Sequence, residues 1–142
     1  MTIHQLSIFI ENRSGTLIKV LDALKQAGIQ IIASTIADTA EYGIYRLICS
    51  EPMRACEELK KAGVAVALSE VFALELDNEP GRAADAVKMF SEADISITYM
   101  YSFQFHGQGL VIFRTDNTEE AREMIHRASL KSIAEKDLID WE

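Results

Sequence analysis

The residues that most often carry out chemistry are sparse in this chain. There are three histidines, His4, His106 and His126, and two cysteines, Cys49 and Cys56. Nucleophilic catalysis needs a nucleophile within hydrogen-bond reach of a base, with a third group to orient that base. His4 lies in a strand-like run, His106 in a turn-like stretch and His126 in a helix-like one. None has a nucleophile partner that the sequence reveals. Glu123 and His126 form Glu-x-x-His, a spacing that di-iron helical bundles use. Such a site needs a second copy of the motif and further carboxylates. The matching pair in the other half of the chain is Glu57 and Lys60, and lysine is a poor metal ligand. A solvated helix face is therefore expected at Glu123 and His126. No GxGxxG, P-loop or CxxC pattern occurs. Both cysteines sit in apolar settings and read as buried thiols. The reading is of a protein that is not an enzyme, with no catalytic residue, no metal and no cofactor.

Two short phrases stand out instead. Residues 11–16 read ENRSGT and residues 77–82 read DNEPGR, sixty-six positions apart. At that offset the chain aligns with itself without a gap. Asn12 meets Asn78, Gly15 meets Gly81, Ala27 meets Ala93 and Ile29 meets Ile95. Gly43 meets Gly109, Ala55 meets Ala121 and Glu57 meets Glu123. Each phrase follows a strand-like run and precedes a helix-like one. Read as mechanics alone, Asn and Gly there are turn formers and helix caps. The alternative is a pair of binding loops. A helix start exposes N–H groups without internal partners at the positive end of the macrodipole, where a carboxylate is a natural guest.

The bulk composition narrows the partners. The 142 residues are 49% hydrophobic and 25% charged, a globular composition with room for one ordinary domain or two small ones. With 14 Lys and Arg against 22 Asp and Glu, the net charge is −8. That sign, with no basic cluster, argues against nucleic acid and anionic membranes as partners. No apolar run approaches the roughly 20 residues of a membrane span. The opening residues read as a first strand rather than a signal peptide, and a cytoplasmic location is expected.

The elements that must position the two loops follow from periodicity. In the first half, residues 4–10 alternate as a strand. Leu17, Val20, Leu21 and Leu24 form a helical stripe that ends at Gly28. IQIIASTIA is strand-like, EYG supplies a turn and IYRLIC returns. Pro52 opens a second helix with Met53, Cys56 and Leu59 inward, and VAVAL is a fourth strand. In the second half FALEL is a strand, and the helix after it turns Ala83, Val87 and Phe90 inward. ISITYMYSFQF is a long strand, HGQG a hairpin turn and LVIF a strand. A last helix turns Ala121, Met124, Ile125 and Ala128 inward. A final strand is expected within LKSIAEKDLI. Tyr99, Tyr101, Phe103 and Phe105, at period two, share one sheet face. Packing is the plain role for that row. A pocket wall or a dimer interface is the more specific one. The strand–helix–strand–strand–helix–strand order is the split βαβ, ferredoxin-like plan. The fold class is α+β: two tandem βαββαβ units, residues 1–69 and 70–142, with antiparallel sheets carrying helices on one face.

ENRSGTL followed by QAGIQI, and DNEPGRA followed by EADISI, resemble the ACT domain, in two tandem copies over essentially the whole chain. The resemblance implies a regulatory module that binds a small effector, often an amino acid, at an interface between modules. It assigns ligand contact to Asn12 and Asn78, close backbone approach to Gly15 and Gly81, and a polar contact to Gln30 and Ser96. The candidate ligand-binding set is Asn12, Arg13, Ser14, Gly15, Thr16, Leu17 and Gln30, with Asn78, Glu79, Pro80, Gly81, Arg82, Ala83 and Ser96. Ser14 stands where the family usually has Pro, and Asp94 where it usually has Gly. The expected partners are an amino-acid effector and a second copy of the chain, with a metabolic enzyme as a further one. The competing reading is a free regulatory subunit that docks on an enzyme and binds nothing small.

Overall fold

The computed structural model describes residues 2–11, 15–38, 42–77 and 80–139. These form six strands and five helices, with every strand pairing antiparallel. The chain divides into two compact units. The N-terminal unit is His4–Ser69 together with the segment that begins at Lys136. The C-terminal unit is Glu70–Glu135 together with the segment that ends at Ile3. Among the described residues no helix is long and apolar enough to cross a membrane.

The N-terminal unit contains β1 (Ile3–Glu11), α1 (Thr16–Gln26), β2 (Ile31–Asp38), β3 (Tyr42–Cys49) and α2 (Pro52–Lys61). Its strands lie in the order β2-β3-β1, and the start of β4 (Val66–Leu76) lies beyond β1. There the Phe9 amide donates to the Ala65 carbonyl at 3.0 Å. Register is fixed by alternation. Leu6 faces Leu47 and Ile8 faces Tyr45, and all four are buried. A slip of one residue would turn this row to solvent. Val20 and Leu24 of α1 and Ala55, Cys56 and Leu59 of α2 close the core over that row. Met53 was expected inward but is 51% exposed. Ala55 takes the inner position, because the buried stripe of α2 runs through Pro52, Ala55, Cys56 and Leu59.

The C-terminal unit continues along β4 into α3 (Arg82–Glu92), β5 (Ile97–Phe105), β6 (Gln108–Thr115) and α4 (Thr118–Arg127). Its strand order is β4-β6-β5. Phe113 stacks on Phe72 at 5.5 Å and meets Phe90 edge-on at 5.0 Å. Such pairs contribute about 0.5–1.5 kcal/mol each beyond the area they bury. The inner face of α3 is Ala86 and Phe90. Ala83 is exposed and Val87 is 36% exposed, so both lie nearer the rim than the helical stripe suggested.

Three expected strands take a different form. VAVAL and FALEL are one uninterrupted strand, β4, because the polar Ser69 and Glu70 between them contain neither Gly nor Pro to break it. The final strand reduces to a single bridge, Ser132 opposite Leu74. The Glu75 amide donates to the Lys131 carbonyl at 2.8 Å and the Ile133 amide to the Ala73 carbonyl at 2.9 Å. The chain then enters a short helix, α5 (Glu135–Ile139), whose Leu138 is fully buried. The turns also move. Gly43 belongs to β3, and the reversal before it falls on residues 39–41, outside the described ones. The second hairpin turns on His106 and Gly107 alone, both at positive φ (51° and 77°), as two-residue hairpins require.

Candidate functional site

Each unit opens its first helix the same way. Gly15 caps α1 at φ 102°, ψ −26°, and Gly81 caps α3 at φ 90°, ψ −5°. Both lie in the left-handed region, where a side chain is costly. Their carbonyls start the helical ladders, accepting from the Lys19 amide at 3.0 Å and the Asp85 amide at 2.9 Å. Glycine offers neither helix a side-chain cap of its own. A Cβ built on either glycine meets nothing within 4 Å. The first-turn amides of Thr16, Leu17, Arg82 and Ala83 thus follow a glycine whose Cβ position meets no described atom beyond its chain neighbours. Pro80 precedes Gly81 and is exposed. Asn12, Arg13, Ser14, Asn78 and Glu79 lie outside the described residues.

The two loops differ in charge. Residues 11–19 contain one acid and two bases, whereas residues 77–85 contain three acids and one base. The one base of the second loop is committed. Arg82 Nε donates to Asp77 Oδ1 at 2.8 Å, and its Nη1 stands 3.9 Å from Asp85 Oδ2. Asp85 lies in the first turn of α3, whereas the first turn of α1 has no acid. A carboxylate guest at α3 would meet a like charge at the positive end of the dipole, and at α1 it would not. Asp77 and Asp85 were legible as charges in the sequence. Their bearing on the loop shows only once Arg82 is seen between them.

Gln30 and Ser96 stand away from these glycines within their own units. Glu11, just before the first loop, faces Tyr42 at the start of β3. Gln30 instead pairs with Ser50, past the end of β3. The Gln30 amide donates to Ser50 Oγ at 2.9 Å, and the Ser50 amide donates to the Gln30 carbonyl at 2.9 Å. Eight strand residues separate the two ends, about 26 Å at the usual rise. The second unit repeats this: the Ser96 amide donates to Asp116 Oδ1 at 3.0 Å, and the Asp116 amide to the Ser96 carbonyl at 3.1 Å. Gln30 and Ser96 thus register the start of the second strand of each repeat, at the end of the unit opposite its glycine.

Between α3 and the sheet lies an apolar notch formed by Leu76, Ala83, Val87, Phe90, Ile97, Met100 and their neighbours. Its free volume is about 10 Å³, room for about one water and not for an amino-acid side chain. Met100 lines it. Tyr99 faces the other side of the sheet, opposite Arg114 rather than toward the helices. Glu123 and His126 line an open surface groove on α4 with Arg122 and Arg127. Among the described residues no three His, Cys, Asp or Glu side chains gather in a way that would hold a metal ion. Cys49 and Cys56 are buried and are not joined in a disulfide.

Comparison with known proteins follows the same division into repeats. The chain is similar along almost its whole length to protein BT0572 from Bacteroides thetaiotaomicron. Identity is 34%, the match covers 99% of this chain and 98% of that one, and the TM-score is 0.93. It is also similar to the ligand-free regulatory subunit of aspartate kinase from Thermus thermophilus, at 17% identity, 88% and 91% coverage and a TM-score of 0.61. The corresponding subunit from Thermus flavus gives 17%, 89% and 92%, with a TM-score of 0.56. At such identities the two kinase subunits speak to fold. Curated protein sequences yield no match. A family model described as an ACT domain pair matches residues 1–141, and with repeat, topology and model in one register, the chain belongs to the family of ACT domain pairs.

Proposed function

We propose that this protein is a regulatory sensor of an α-amino acid, bound through its carboxylate at the glycine-capped start of a first helix. The observation that carries this is the paired geometry of Gly15 and Gly81: left-handed, at the N-cap of the first helix of each unit, and open where a Cβ would stand. Such a helix start offers amide donors and a positive dipole end to a carboxylate. Asn12 and Asn78 hold the headgroup in this reading, since an amide side chain supplies both a donor and an acceptor. The charge balance favours the first loop, with Arg13, Ser14, Thr16 and Leu17 around the guest. The second loop, with Glu79, Pro80, Arg82 and Ala83, is the weaker site. Gln30 and Ser96 contribute only from a module other than the one whose loop is occupied. Residues 1–69 and 70–142 act as the two modules, in a cytoplasmic homodimer without catalytic activity of its own.

Calorimetry with each of the twenty common amino acids tests this. At least one is expected to bind, and Asn12→Ala is expected to weaken it roughly 10- to 150-fold, the effect of losing a hydrogen bond to a charged group. Asn78→Ala is expected to matter less. Twenty flat titrations would remove the reading, as would a bound amino acid indifferent to both substitutions.

A second reading is docking on a metabolic enzyme without a small ligand. It is favoured by Ile18 on α1 and Met53 on α2, which are 56% and 51% exposed. Twenty flat titrations together with co-purification of one enzyme, lost in an Ile18→Glu, Met53→Glu variant, would select it.

A further inference from the structure

The two repeats fasten their first helices differently. In the N-terminal unit Leu17, Val20, Leu21, Ala23 and Leu24 all pack into the apolar cluster, so α1 is held along its length. Among the described residues, the cluster of the C-terminal unit takes in only Met89 and Phe90 from α3, both in its C-terminal half. The cause is legible at the 66-residue offset. Leu17, Val20 and Leu21 are matched by Ala83, Ala86 and Val87, each smaller than its counterpart. On the sheet, Tyr45 of β3 is matched by Val111 of β6.

The apolar notch under α3 is what this loss of volume leaves. Ala83, Ala86 and Val87 line it from the helix, and Ile97, Met100 and Val111 from the sheet. Dispersion attraction falls steeply across even a small gap, so the first half of α3 gains little from the strands below it. Val87 and Met100, on the two sides of the notch, are exposed. The Arg82–Asp77 pair at the N-terminal end is exposed on both sides and screened by solvent, so it tethers the helix loosely. Ala83, Ala84 and Ala86 are strong helix formers. Even so, half a helix of this length does not persist in water without packing.

We propose that residues 82–87 are a flap, which opens from the sheet by local unfolding between Gly81 and the Met89–Phe90 anchor while the rest of the C-terminal unit stays folded. The flap carries the amides of Arg82 and Ala83, so a carboxylate site at the second loop exists only while the flap is closed, and its affinity falls with the fraction open. The flap itself does not depend on amino-acid binding. Native-state hydrogen exchange on the full chain, without ligand, tests it. Protection is compared at matched amides: Lys19, Val20 and Leu21 against Asp85, Ala86 and Val87. The second set is expected to be at least about tenfold less protected. Its exchange is expected to respond little to low urea, because a local opening exposes little surface. The double variant Ala83→Leu, Val87→Leu restores the residues of the first repeat. It is expected to raise protection at Asp85, Ala86 and Val87 at least about tenfold. If that variant folds poorly, the wild-type comparison decides alone. Equal protection at the matched amides overturns the flap, as does exchange at Asp85, Ala86 and Val87 that follows urea as steeply as exchange in β6. A folded double variant with no gain in protection overturns it too.

Discussion

Arg82 Nε donates to Asp77 Oδ1 at 2.8 Å, so the second loop is spanned by a pair between the last residue before it and the first residue of its helix. The first loop has Thr16 and Glu11 at the same places. Both partners of the pair are substantially exposed, 43% and 55%, so its contribution to stability is small, about 0.2–1 kcal/mol. Its larger effect is on the charge a guest would meet. Amino-acid titration is therefore expected to saturate near one equivalent per chain, with that site weakened in Asn12→Ala. Arg82→Ala is expected to leave that first site unchanged and to shift the urea midpoint little. Two equivalent sites per chain would show that the charge difference does not discriminate the loops.

The helix C-termini make a separate comparison between the repeats. Gly28 and Gly63 end α1 and α2 at φ 70° and 81°, and the second repeat puts Asp94 and Ser129 in the same region at φ 59° and 53°. The hydrogen bonds match. The Ile29 amide donates to Leu24 at 3.0 Å, and the Ile95 amide to Phe90 at 2.9 Å. A non-glycine residue in this conformation costs about 1–2 kcal/mol, less the entropy that glycine loses on folding. Asp94→Gly is expected to stabilise the protein by about 1 kcal/mol in urea unfolding, and Gly28→Asp to destabilise it by a similar amount.

Asp94 also shows what was legible in the sequence. The departure from Gly was visible, yet the backbone keeps the same turn, because Leu24 and Phe90 accept equivalent bonds there. The repeat, the four main helices and the antiparallel plan were readable from periodicity and punctuation. The continuity of β4 was not, since Ser69 and Glu70 look like a boundary while supplying nothing that ends a strand. Nor was the fate of residues 130–139. Alternation there was too weak to favour a strand, and the backbone bonds from β4 end at Ile133. At the site, the glycine geometry was legible from the phrase itself. The distance of Gln30 from Gly15 within a unit was not, because it depends on the length of β3.

The loop glycines separate stability from binding. A Cβ on Gly15 or Gly81 meets no protein atom within 4 Å, so the cost of Gly→Val is in the backbone at φ 102° and 90°, at least about 1–2 kcal/mol. Both variants are expected to lose similar stability. Gly15→Val is expected to abolish binding at the first loop through occupied space, and Gly81→Val to spare it. Equal loss of binding in both would tie the two loops to a single site.

Thr115 offers the last test, inside the C-terminal unit. It is 6% exposed, at the end of β6 and opposite Ile97, and its hydroxyl has no hydrogen-bond partner among the described residues. An unsatisfied buried hydroxyl costs about 1–3 kcal/mol. The matching residue in the first repeat is Cys49, also buried, whose thiol is a weaker donor and loses less on leaving water. Thr115→Val keeps the β-branched shape that suits a strand and removes the hydroxyl. It is expected to raise the unfolding free energy by about 1 kcal/mol. Thr115→Ser keeps the hydroxyl and removes a methyl, and is expected to lower stability by about 1 kcal/mol. The opposite result for valine, a loss of 1 kcal/mol or more, would mean that the hydroxyl is satisfied in solution and that Thr115 helps hold the end of β6 in place.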